Sequence, residues 1–206
     1  MWKNPVVIAA AGGALLSALV IGWILSVLLL PPAAGPLTAR LGAVTGTPLI
    51  GGPFSLVDDQ GRSRSDGDFK GRLMLIYFGF THCPDVCPTS LQVMGNALDL
   101  LPADQADQVA PLFISVDPER DTAAAIKGYA QQFHPGMLGL TGTPEQVAAA
   151  AKAYRVFYRK APGRADDYLV DHSSIVYLMD REGRYLSHFT HEAPPEAIAA
   201  AIRKAL

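Results

Sequence analysis

The sequence predicts an α/β domain preceded by a single N-terminal transmembrane helix, and three observations carry that expectation. Residues 6–30, from Val6 to Leu30, form one apolar run with no ionisable side chain. Further on, Leu73-Met-Leu-Ile-Tyr-Phe78 and Pro111-Leu-Phe-Ile-Ser-Val116 are continuous apolar stretches of the kind found in strands buried on both faces. Between them Leu91, Met94, Leu98 and Leu101 recur at helical spacing, so strand, helix and strand follow one another as a βαβ unit.

At about 1.5 Å per residue the apolar run makes a helix roughly 37 Å long, enough to cross a hydrocarbon core of about 30 Å with tilt. Pro5 brackets it on one side and Pro31-Pro32 on the other. It is too long for the apolar region of a signal peptide, about 7–15 residues, and Ala33-Ala34-Gly35 is a poor cleavage site. Residues 1–30 are therefore read as an uncleaved anchor. Lys3 before the run, with Arg40 ten residues past its other end, favours the amino end in the cytoplasm and the bulk outside. Residues 31–48 are Pro/Gly/Ala/Thr-rich without an apolar period and read as a linker. Residues 49–206 are left as a domain large enough to bury a core. The chain has 17 Lys+Arg against 19 Asp+Glu, a net of −2, which leaves no electrostatic footprint for nucleic acid.

Within that domain, Pro53-Phe-Ser-Leu-Val57 and a short following stretch flank Asp58-Asp-Gln-Gly61, a hairpin signal. After the second buried strand a helix is expected from Asp121-Thr122, carrying Ile126, Tyr129 and Phe133 on one face. Thr143-Pro-Glu-Gln146 is a capping box with proline at the first helical position, so another helix starts there. Strands at about residues 174–180 and 184–189 are joined by Arg181-Glu-Gly183, and a last helix opens at Pro194-Pro195. A βαβ unit followed by a hairpin and a terminal helix describes a thioredoxin-like α/β domain.

The two cysteines, Cys83 and Cys87, fall where the first buried strand gives way to its helix, the edge at which open α/β sheets place their sites. With Cys83 as helix N-cap, Pro84 takes the first helical position and Pro88 the fifth, making the first turn irregular. The helix N-terminus is expected to favour thiolate. Three residues separate the cysteines, not two as in a Cys-x-x-Cys redox motif. Side chains four apart on a helix have Cβ atoms about 5–6 Å apart, whereas a disulfide wants about 3.5–4.5 Å. That spacing leans towards a metal without forbidding a disulfide. Two thiolates underfill a metal site, so a third ligand has to come from elsewhere. Of the five histidines, His172, in Val170-Asp-His-Ser-Ser174, lies directly before a strand whose entering loop faces the cysteine turn in thioredoxin-type domains. His82 is expected to point away from Cys83, His134 to cap a helix, and His188 and His191 to lie on the surface. Two thiolates and an imidazole suit copper(I), with copper(II) next, whereas zinc would want a fourth ligand.

These residues resemble the Sco (Sco/SenC) family of membrane-anchored copper-binding proteins. The resemblance covers about residues 50–190 and rests on Ile50-Gly-Gly-Pro-Phe54, Tyr77-Phe-Gly-Phe-Thr-His-Cys-Pro-Asp-Val-Cys-Pro88, Ser115-Val-Asp-Pro-Glu-Arg-Asp-Thr122, Gly139-Leu-Thr-Gly142 and Asp171-His-Ser173. It implies copper ligation by Cys83, Cys87 and His172, with Asp171 or a backbone carbonyl orienting the imidazole. It also implies a chaperone role, rather than that of an enzyme, in assembling the dinuclear copper centre of cytochrome c oxidase. The implied partners are that centre's subunit and a copper donor protein. The implied location is the inner membrane, with one span and the domain on its periplasmic side. The stretch from Asp117 to Asp121 matches a family segment near the site and reads as helix capping rather than as a partner contact. The alternative is a thiol-disulfide oxidoreductase acting through Cys83 and Cys87 on the oxidase's cysteines, or a redox sensor. The loop with His172 lacks the proline that disulfide reductases carry there, which favours metal.

Overall fold

In the computed structural model, residues 49–162 and 167–206 are described. The expected membrane helix and linker lie outside them. Among the described residues no helix is long and apolar enough to cross a membrane.

The first hairpin, β1 (Ser55–Asp58) and β2 (Ser63–Ser65), forms where the Asp58–Gly61 turn signal placed it. Asp58 closes the turn by accepting hydrogen bonds from the backbone of Gln60 and Arg62 and from the side chains of Arg62 and Arg64. Then come β3 (Leu73–Gly79), α1 (Val86–Asp99), a single turn α2 (Ala103–Ala106) and β4 (Val109–Ser115), the expected βαβ unit. Every residue of β3 and β4 is buried, as their unbroken apolar runs required.

β5 (Leu138–Thr141) runs parallel to β4. It is followed by α3 (Pro144–Ala153), whose Thr143 and Gln146 form the capping box seen in the sequence. β6 (Tyr158–Lys160) and β7 (Val170–His172) pair as a separate hairpin, followed by β8 (Ile175–Met179), β9 (Tyr185–Thr190) and α4 (Pro195–Ala205). The main sheet has the order β2-β1-β5-β4-β3-β8-β9, with β3, β4 and β5 parallel and the flanking strands antiparallel. β3 is thus an interior strand, with β4 on one side and the β8–β9 hairpin on the other. Successive residues of β3 face opposite ways. Tyr77 turns towards Cys87 on the α1 side, and Phe78 packs on Tyr154 at the end of α3, ring centroids 5.4 Å apart.

One expected element is absent. The segment after Thr122 forms successive turns and a short 3₁₀ helix at Ala130–Gln132, not an α-helix. Gly128 takes a φ of +75°, which ends any right-handed run, so only isolated bonds such as Ile126 N–H to Thr122 C=O form. Ile126 is nonetheless fully buried, which is what its apolar spacing encoded. β5 and the β6–β7 hairpin have no counterpart among the expected strands. The hairpin is short and half exposed, so its sequence carries no apolar period.

Candidate metal centre

β3 ends at Gly79, whose carbonyl takes the N–H of Val116 at 2.8 Å and extends the ladder one step beyond β4. The chain then turns, Cys83 N–H donating to Phe80 C=O, and α1 starts at Val86 with Asp85 as N-cap. This corrects the expected cap at Cys83. With the helix starting later, Cys87 is its second residue and Pro88 its third. Proline there forfeits no helical bond, because first-turn N–H groups have no partner within the helix. Cys83 still caps in substance: its Sγ accepts the N–H of Cys87 at 3.4 Å.

His172 ends β7, opposite Tyr158, and the tight passage into β8 brings its ring over the cysteine turn. Its Nε2 stands 3.3 Å from Cys87 Sγ. The donor atoms of Cys83, Cys87 and His172 all lie within 4.8 Å of one another. Nδ1 of His172 is 3.2 Å from the carbonyl of Ser173. A carbonyl only accepts, so Nδ1 carries the proton and Nε2 turns its lone pair to the sulfurs. Asp171 does not orient the ring; it pairs with Arg159 at 3.0 Å. Tyr77 and Phe80 meet the imidazole edge to face, with centroids 6.0 and 5.8 Å away, and fix its plane.

Burial sets the protonation of this cluster. It pushes the Cys87 thiol well above its ordinary value, with the neighbouring Cys83 sulfur adding to the shift and the Phe80 N–H opposing it. The expected thiolate-favouring effect of the helix N-terminus is therefore overridden at Cys87. Burial also lowers His172, which keeps the imidazole neutral. Both cysteines are free, Cys83 half-buried and Cys87 fully buried. A neutral imidazole and two thiols form a donor set for a soft metal, which would displace the thiol protons. Two sulfurs at about 2.3 Å from one ion stand roughly 4 Å apart in a trigonal site, a span this cluster accommodates.

The other histidines stay outside. His82 is exposed and turns to Thr81 and Asp121. His134 sits 3.9 Å from Asp99 at the end of α1 and takes the N–H of Gly136. His188 and His191 are exposed.

What the sequence reading missed is the bracing. Asp121, fully buried, accepts Thr81 N–H at 2.9 Å, Thr81 O–H at 2.5 Å and Ser115 O–H at 2.6 Å. It anchors the turn just before Cys83 to the end of β4, where helix capping was expected. Asp117 likewise holds Arg120 and the Tyr168 hydroxyl, each at 2.6 Å, and the Arg120 guanidinium lies 3.6 Å over the Tyr168 ring. Tyr168 precedes β7, so this clamp ties the strand bearing His172 to the loop after β4. The signal in the sequence was polar residues between two buried strands, which only a fold could give partners.

Residues 42–206 match the SCO1/SenC family model. The human mitochondrial protein SCO1 homolog is 42% identical over 203 residues, 98% of this chain, which spans 65% of that relative's length. Among solved structures, Bradyrhizobium japonicum ScoI with copper bound is 46% identical with a TM-score of 0.71, over 76% of this chain and 99% of that one. BsSco, a member of the Sco family of cytochrome c oxidase assembly proteins in which a disulfide switch was identified, is 25% identical with a TM-score of 0.60, over 75% of this chain and 91% of that one.

Proposed function

The chain belongs to the SCO1/SenC family, and from that membership we propose that it is a membrane-anchored copper chaperone that binds copper through Cys83, Cys87 and His172 and serves assembly of the dinuclear copper centre of cytochrome c oxidase. The observation that carries this reading is the convergence of two thiols and a neutral imidazole, drawn from turns 85 residues apart, on one point. The fold match to a copper-bound relative of 46% identity supports copper as the ion. Cys83 is partly open to solvent while Cys87 is buried, which gives copper one accessible ligand for handover to a receiving subunit. Residues 1–30 supply the anchor, with the domain on the periplasmic side of the inner membrane, where the oxidase subunit and a copper donor would meet it.

The test is titration of the reduced protein with copper, read by absorption and spin resonance. One ion per chain is expected, and Cys83→Ala or Cys87→Ala should each abolish tight binding. Full-affinity binding by either variant would place the site elsewhere.

A second reading is favoured by one observation, the disulfide switch described for BsSco. In it the reduced Cys83–Cys87 pair gives two electrons and two protons to a disulfide of the oxidase subunit and itself becomes a disulfide. The two roles can share one pair, since oxidation removes both sulfur ligands.

A further inference from the structure

Tyr77 is fully buried near the end of β3, and its hydroxyl has no hydrogen-bond partner. Ser90, one helical turn beyond Cys87, also carries a buried, unpartnered hydroxyl. An orphaned buried hydroxyl costs about 1–3 kcal/mol, so such groups are normally paired. What lies beside this one is a sulfur. Tyr77 Cε1, the ring carbon next to the one bearing the hydroxyl, lies 2.8 Å from the point where a Cβ on Gly79 would stand, and Cys87 Sγ lies 2.9 Å from that same point. The same ring meets the imidazole of His172 edge to face, with centroids 6.0 Å apart. Tyr77 thus lies beside two of the three candidate donor residues. A thiol is a weak acceptor, whereas a metal-bound thiolate attracts an O–H donor strongly. A phenol keeps its proton at neutral pH, so the side chain faces the sulfur as a donor.

We propose that Tyr77 is a positioning residue whose O–H donates a hydrogen bond to the Cys87 sulfur when that sulfur binds copper as thiolate, fixing its orientation and weakening its donation to the ion. The inference rests on the copper reading above. It explains why the position holds tyrosine, with its buried hydroxyl, when phenylalanine would fill the same space without an orphaned group.

The experiment compares the full-length protein with Tyr77→Phe and Ser90→Ala after loading with copper(II). Removing the donor should shift the sulfur-to-copper absorption to longer wavelength and lower copper affinity about 10–100-fold, the usual range for ligand-orienting groups. Ser90→Ala should leave the band in place. A merely structural role would not move the band energy. In the wild-type protein loaded with copper(I), the Tyr77 hydroxyl proton should appear as a slowly exchanging NMR resonance, which decides the question even if Tyr77→Phe fails to fold. An unmoved absorption band in Tyr77→Phe, or no protected hydroxyl proton in the loaded wild type, overturns the proposal. A wild-type protein with no sulfur-to-copper band at all would instead sink the copper reading on which it rests.

Discussion

Cys87 Sγ and His172 Nε2 stand 3.3 Å apart although 85 residues separate them in the chain. The thiol pair can exchange with disulfides without the histidine; a metal held by three donors cannot keep its geometry without it. Their contact therefore separates the two readings of this protein.

His172→Ala is expected to keep a reducible Cys83–Cys87 pair and to lose stable copper(II), which prefers nitrogen ligation, while copper(I) persists on two sulfurs with reduced affinity. The check is spin resonance of the loaded variant beside a thiol titration of the metal-free one. Complementation of a strain lacking the protein, at low copper, then reads the consequence for oxidase. Full restoration by the variant would favour the thiol-exchange role over metal handling.

Burial shapes the pH response. The Cys87 thiol, raised above its ordinary value of 9.0, stays protonated through neutral pH, so copper must displace its proton. Affinity is expected to rise at least about tenfold per pH unit there. His172, lowered from 6.5, competes for protons only in more acid solution. For the metal-free fold the thiol acts with the opposite sign and the imidazole with the same sign. A raised thiol contributes stability below pH 9.0 that is lost as pH climbs through its folded value, and a depressed imidazole contributes stability above pH 6.5 that is lost as pH falls through its own. The metal-free protein should therefore be most stable between those two limits. Denaturant titrations across pH, with and without copper, test both halves; a pH-independent copper affinity would show that Cys87 binds without losing a proton.

The cluster of Cys83, Cys87 and His172 could be read from the sequence because its chemistry is local: two cysteines at a strand-to-helix turn and a histidine at a strand entrance. Buried strands could be read too, since β3 and β4 are apolar at every position. Where α1 begins could not, because Pro84 and Pro88 both fit a helix start and only the tertiary position of Cys87 selects between them. The same holds for Ile126, whose spacing encodes burial but not helix once Gly128 turns the chain. Asp121 was legible as a helix cap, not as the brace it is. Its three donors come from Thr81 and Ser115, which the sheet brings together, and no period in the sequence records that.

Asp121→Ala should be costly for that reason. It strands the Thr81 N–H and the Thr81 and Ser115 hydroxyls, groups whose lost bonds are worth about 1–3 kcal/mol each where they cannot reach water. Because those donors hold the turn before Cys83, copper affinity should fall together with stability. A chemical denaturation midpoint and a copper competition assay on the same preparation would show it. Unchanged copper affinity in a destabilised variant would mean that the turn holds its shape without the aspartate.

Gly79→Ala tests how tightly the site is built against the sheet. The backbone at Gly79 does not need glycine, since its φ is not positive, so any penalty must come from space. A Cβ there would lie 2.9 Å from Cys87 Sγ, 2.8 Å from Tyr77 Cε1 and 3.3 Å from Phe113 Cε2, closer than real Cβ atoms come to the first two. The rings are pinned in the core, so Cys87 has to give way and move off the line to His172. Overpacking of this kind costs about 1–3 kcal/mol. In a Cys87→Ala background the sulfur is gone and part of the clash with it, so the stability loss should shrink, a coupling expected only for residues in contact. Copper binding measured on the single variant completes the test. Loss of affinity with a relieved double-mutant cost would locate the disturbance at the sulfur. Equal costs in both backgrounds would instead assign it to Tyr77 and Phe113.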